Sequence, residues 1–115
     1  MAENIYCEYS TGNLVWLAVN YEHDDVEEIR PLLCAITSIS INCNKKGRWT
    51  KKYRLSVFRN GKTIDYSYDV SFEDAEKYIC DDILTEDPNK CFSGITYSPY
   101  NYYGLYNYYG LEGEN

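Results

Sequence analysis

Very little in this sequence can serve as a nucleophile, base or metal ligand. There is one histidine, His23, and the five cysteines (Cys7, Cys34, Cys43, Cys80 and Cys91) show no Cys-x-x-Cys or paired-histidine spacing. An odd, unrepeated set of this kind argues against both a zinc ribbon and a disulfide framework. The cysteines are therefore expected to be reduced and mostly buried, with no metal and no cofactor. Neither Gly-x-x-x-x-Gly-Lys nor Gly-x-Gly-x-x-Gly occurs, so the familiar glycine cradles for phosphate are missing. His23 stands among Glu22, Asp24 and Asp25, acids that favour its charged form, and a lone histidine in such a loop reads as solvated. No enzyme is expected from this inventory.

Long apolar runs are lacking too. The longest extends from Leu14 to Val19, whereas crossing a bilayer takes roughly 20 residues. The first residues, Met1-Ala2-Glu3-Asn4, carry neither the basic nor the apolar region of a secretory signal, and a cytoplasmic location is expected.

What is present suits one domain. A chain of 115 residues, 44% hydrophobic and 25% charged, is near the commonest domain size. Residues 1–96 are expected to form it, with 97–115 as a tyrosine-rich tail packed on the domain or on a partner. Half of the 14 tyrosines lie from Tyr97 onward, where Tyr-Asn-Tyr-Tyr-Gly-Leu stands at Tyr100–Leu105 and again at Tyr106–Leu111. Two copies of six residues are a local duplication, too short for a repeat fold.

Along the chain, Tyr6–Tyr9 and Leu14–Tyr21 read as strands around the turn Ser10-Thr11-Gly12-Asn13. Asp24–Thr37 reads as a helix, from its leading acids and from Val26, Ile29, Leu33 and Ile36 at roughly helical spacing, with a break near Arg30 or a start at Pro31. From Ser38 the period becomes two, with Ile39, Ile41 and Cys43 on one side, which predicts a strand. Asn60-Gly61 is the dipeptide best suited to a two-residue hairpin turn. A regular ladder from that turn pairs Val57 with Ile64, Leu55 with Tyr66 and Tyr53 with Tyr68 on the core side. On the other side it pairs Lys52 with Asp69 and Ser56 with Asp65, and sets Arg54 opposite Ser67. Ser71 and Asp74 form a Ser-x-x-Asp capping box, and Phe72, Ala75, Ile79 and Ile83 give one stripe, which predicts a helix over Phe72–Leu84. The expected fold is α+β: an antiparallel sheet of about five strands, one main helix in the C-terminal half packed on one face, and an ordered tyrosine-rich tail.

Charge is segregated. No acid lies between Ile29 and Ile64, while Lys45, Lys46, Arg48, Lys51, Lys52, Arg54, Arg59 and Lys62 fall there. Glu22–Glu28 contributes five acids and Asp65–Asp87 nine more, so the net charge of -7 conceals a dipolar molecule. Carboxylates spread over one surface can imitate a phosphate array and fill a basic groove, gaining the steering and counterion release that DNA gains there. The expected contact residues for a protein partner with a basic nucleic-acid-binding surface are Glu73, Asp74, Glu76, Asp81 and Asp82. Tyr100, Tyr102, Tyr103 and Tyr106 are the expected anchors, because tyrosine brings area and a polar tip at low entropic cost. The competing function is direct binding of nucleic acid or nucleotide by Lys45, Lys46, Arg48, Trp49, Arg59 and Lys62, cations interleaved with an aromatic. A net negative charge opposes that attraction.

In size, charge and scarcity of catalytic groups the chain resembles the small inhibitors carried by phages and mobile elements, including anti-CRISPR proteins. The resemblance covers general character only and transfers no residue. It implies a non-catalytic inhibitor that blocks a basic, nucleic-acid-handling protein.

Overall fold

The computed structural model describes residues 6–102. Five strands, β1 (Leu14–His23), β2 (Val26–Cys43), β3 (Trp49–Arg59), β4 (Lys62–Ser71) and β5 (Ile79–Cys80), form one antiparallel sheet in the order β4-β3-β2-β1-β5. Helix α1 (Phe72–Tyr78) joins β4 to β5, and a 3-10 helix, Pro88–Phe92, follows. The class is α+β, as the sequence indicates. Among the described residues no helix is long and apolar enough to cross a membrane.

The helix expected over Asp24–Thr37 is a strand. Asp24 and Asp25, read as helix-opening acids, instead take positive φ (52° and 64°) and make the two-residue turn of the β1–β2 hairpin. The apparent helical stripe divides between the two sheet faces: Val26 and Ile36 point one way, Ile29 and Leu33 the other. Pro31 is tolerated because it lies opposite Ala18 where β2 pairs with β1 alone; the β3 ladder starts only at Cys34. An irregularity between Ile36 and Ser38 then inserts a residue, so Ile36 and Ile39, three apart, both lie with the core.

The Asn60-Gly61 hairpin forms as expected, with φ of 56° and 81°. Its register departs from the regular ladder after two pairs. Arg59 faces Lys62 and Phe58 faces Thr63, but β4 then carries two more residues than β3 before Ser56 meets Ser67. Leu55 therefore opposes Tyr68, Tyr53 opposes Val70, and Arg54 opposes Asp69 rather than Ser67. An offset of two leaves every side chain on its expected face, and Tyr53, Leu55, Val57, Tyr68 and Val70 are buried.

Strands β4 and β5 lie on opposite edges of the sheet, so the chain between them must cross it, and α1 does so over the core face. The Tyr53 ring stacks on Phe72 at 4.3 Å, and Ala75 and Tyr78 are buried. Ser71 caps the helix, accepting from the Asp74 amide at 3.0 Å. The helix stops at Tyr78, short of the expected Leu84, because Ile79 turns extended and pairs with Leu17. Backbone groups on the β1 edge offer Ile79 and Cys80 a ladder that outcompetes another helical turn. Ile83 and Leu84, assigned to the helix by the sequence, are 37% and 89% exposed.

Tyr6–Tyr9 is not a strand. Tyr9 packs edge-on against Tyr53 at 5.4 Å, and the Tyr53 hydroxyl accepts from the Glu8 amide at 3.0 Å. The cysteines are less buried than expected: Cys34 is buried, Cys7, Cys80 and Cys91 are half-buried, and Cys43 is exposed.

Candidate functional site: carboxylates, cations and the tyrosine strap

The five acids proposed as one contact surface belong to two elements. Glu73, Asp74 and Glu76 lie on α1, whereas Asp81 and Asp82 follow β5 in the irregular stretch before the 3-10 helix. Glu73, Glu76, Asp81 and Asp82 are exposed, as are Glu86 and Asp87 further on. Among the described residues no ion pair engages any of these six. Asp74 is different. Its carboxylate, expected to close a capping box, instead accepts from the Tyr100 hydroxyl at 2.7 Å.

That bond belongs to a strap along the β1 edge. The Asn20 amide donates to the Tyr100 carbonyl at 2.7 Å, the Tyr102 amide donates to the Asn20 carbonyl at 2.9 Å, and Asn101 pairs with Asn20 in parallel. Ser98 is fully buried; its hydroxyl donates to the Ala18 carbonyl at 2.9 Å and accepts from the Tyr100 amide at 3.1 Å. Thus the strap covers the edge of β1 beyond β5, where backbone groups would otherwise lack partners. Tyr100 contacts Tyr78 and Tyr68 edge-on at 5.8 and 6.3 Å, and the Tyr68 hydroxyl donates to the Asn101 carbonyl at 3.1 Å. Burial pushes the Tyr68 and Tyr100 phenols well above their ordinary range, and contact with Tyr66 and Asp74 respectively adds to it. Of the four tyrosines expected as anchors, Tyr100 and Tyr102 are half-buried against the domain, with Tyr102 against Tyr21 at 5.1 Å. Tyr103 and Tyr106 lie outside the described residues.

The cations do not converge either. Lys45, Lys46, Arg48 and Trp49 sit at the β2–β3 turn, while Arg59 and Lys62 flank the β3–β4 turn at the other end of β3. Strand β3, eleven residues from Trp49 to Arg59, holds the two groups about 33 Å apart. At the first end the Asn44 side chain accepts from the Lys46 and Arg48 amides, fixing the turn, and Trp49 is 42% exposed. Between the ends, Asp69 takes up Arg54 at 3.0 Å and Lys52 at 4.0 Å. The Arg54 hydrogen bond holds the Asp69 carboxyl below the usual carboxylate range. The expected partner of Lys52 is thus shared with Arg54, a consequence of the two-residue register offset.

A cleft of about 200 Å³ opens where β2 and β3 part, bounded by Tyr21, Arg30, Leu32, Arg59 and Tyr102. The Arg30 guanidinium lies over the Tyr21 ring at 4.6 Å and carries the Glu28 carboxylate. Sequence reasoning missed this cleft, since nothing local brings Tyr102 beside Tyr21. The same hairpin gathers Glu22, Asp24, Asp25, Glu27 and Glu28 at its tip, all exposed. No family model, curated protein or solved structure matches the chain.

Proposed function

We propose that this protein is a non-catalytic acidic binding protein, an inhibitor of the phage or mobile-element kind, that occupies the basic surface of a nucleic-acid-handling protein. One observation carries the reading: Glu73, Glu76, Asp81, Asp82, Glu86 and Asp87 are exposed within fifteen residues of chain and engage no cation among the described residues. The only cation inside that stretch is Lys77, which lies over the Tyr78 ring at 5.3 Å. Carboxylates left solvated in this way keep their charge available to a cationic partner, whose counterions they release. The tyrosine strap supports the reading indirectly, by holding α1 against the sheet through Asp74.

The test is capture from the native host by immobilised full-length protein. The expected result is retention of a nucleic-acid-binding protein, released by salt, displaced by double-stranded DNA, and lost with Asp81→Lys/Asp82→Lys. Retention that is unchanged by charge reversal, salt and DNA would sink the proposal. A gel shift of labelled DNA by the purified chain at low salt would favour the Lys45–Trp49 turn as the working surface instead.

A further inference from the structure

Cys80 and Cys91 come from separate elements yet meet. Cys80 belongs to β5, where the ladder with β1 sets it opposite Trp16, and Cys91 belongs to the 3-10 helix. Their sulfurs lie 2.6 Å apart, and both residues are half-buried. Two partly reachable sulfurs thus face one another across the ten intervening residues 81–90. Of the other cysteines, Cys34 is fully buried, Cys43 is exposed and Cys7 is half-buried.

We infer that Cys80 and Cys91 form a redox-active pair that closes to an intramolecular disulfide on reaction with a low-molecular-weight disulfide such as oxidised glutathione. In the first step the thiolate of one cysteine attacks a glutathione sulfur, forming a mixed disulfide and releasing one glutathione thiolate, which takes up a proton. In the second, the other cysteine loses its proton and attacks the protein-side sulfur, releasing the second glutathione. Two protein thiols are oxidised to one disulfide and one glutathione disulfide is reduced to two thiols. Either order requires the Cys91 sulfur to act once as a nucleophile. Its thiol is pushed up to about 11, first by the contact with Cys80 and then by burial, so closure is expected to accelerate as pH rises above neutral.

The bond would staple β5 to the 3-10 helix and close residues 81–90, the stretch that carries Asp81, Asp82, Glu86 and Asp87, into a loop. This inference does not depend on any partner for those carboxylates. A loop of that length removes enough unfolded-state freedom to raise Tm by about 10 °C.

Peptide mapping of the full chain tests it. The reduced protein is treated with oxidised glutathione under native conditions, blocked with an alkylating agent and digested with trypsin. Cleavage after Lys77 and Lys90 places Cys80 in residues 78–90 and Cys91 in residues 91–115. The expected product joins these two peptides, while exposed Cys43 carries a glutathione adduct and reports that the oxidant was active. Recovery of Cys80 and Cys91 as separately alkylated or glutathionylated peptides beside a reacted Cys43, or their linkage to other cysteines, would overturn the inference. In Cys91→Ser the oxidative rise in Tm should disappear; a rise of equal size in that variant would also overturn it.

Discussion

The Tyr100 hydroxyl donates to the Asp74 carboxylate at 2.7 Å, joining the strap on the β1 edge to a helix that starts from the opposite edge of the sheet. A phenol bound to a carboxylate in a half-buried setting is a charge-assisted bond, stronger than a neutral one. Through it the strap and α1 hold each other against the core face. Tyr100→Phe keeps the ring contacts with Tyr68 and Tyr78 and removes only this bond. A loss of about 1–2 kcal/mol in urea unfolding is expected. A change under a few tenths would show that the bond is made equally well by water.

Ser98 holds the same strap from beneath, donating to Ala18 and accepting from Tyr100 while fully buried. Ser98→Ala leaves a buried carbonyl and a partly buried amide short of a partner and should cost about 2 kcal/mol. Hydrogen exchange should then quicken at Asn20 and Tyr102, whose backbone bonds close the strap, more than in β3.

Alkaline stability follows from the buried phenols. Tyr9 is pushed up to about 12, chiefly by burial, and Tyr53, Tyr68 and Tyr100 are raised with burial again the largest cause. A phenol with a raised folded pKa contributes in full below its unfolded value near 10, where both states hold the proton. Above 10 the unfolded chain loses protons that the folded chain keeps, so stability falls as pH rises. Each such phenol adds up to about 1.4 kcal/mol per pH unit to the decline. Urea midpoints measured from neutral pH upward should hold level and then fall steeply beyond pH 10, with phenolate absorbance from these rings appearing together with unfolding. Full phenolate absorbance in a still-folded chain would contradict this.

The β1–β2 and β3–β4 turns give opposite outcomes under substitution. Asp25 occupies positive φ with a side chain that disfavours it, among four neighbouring acids, so Asp25→Gly should stabilise by about 0.5–1 kcal/mol. Gly61 has φ of 81° and nothing within 4 Å of an added Cβ, so Gly61→Ala carries only the backbone penalty, about 1 kcal/mol. Thermal melts of both variants against the parent chain check the signs.

Reversal of Asp81 and Asp82 to lysine should leave stability within about 0.5 kcal/mol, since both are exposed and engage no cation among the described residues. A larger loss in urea unfolding would mean that these carboxylates serve the fold, and their use as a contact surface would lose its footing.

Features that depend on near neighbours were legible in the sequence by itself: the Asn60-Gly61 turn, the Ser71 cap with its bond from Asp74, the alternating face of Ile39 and Ile41, and the α+β class. Each rests on φ preferences, a cap three residues away, or a period visible in a short window. The tertiary structure decided what local pattern leaves degenerate. Apolar residues three and four apart in Val26–Ile36 satisfy a helix or two faces of a strand equally, and pairing with β1 selected the strand. The stop at Tyr78, the two-residue offset that gives Arg54 to Asp69, and the bond between Tyr100 and Asp74 all depend on partners distant in sequence. Backbone groups on a sheet edge and phenols beside a helix carry no mark of their eventual partners, so only the folded chain could assign them.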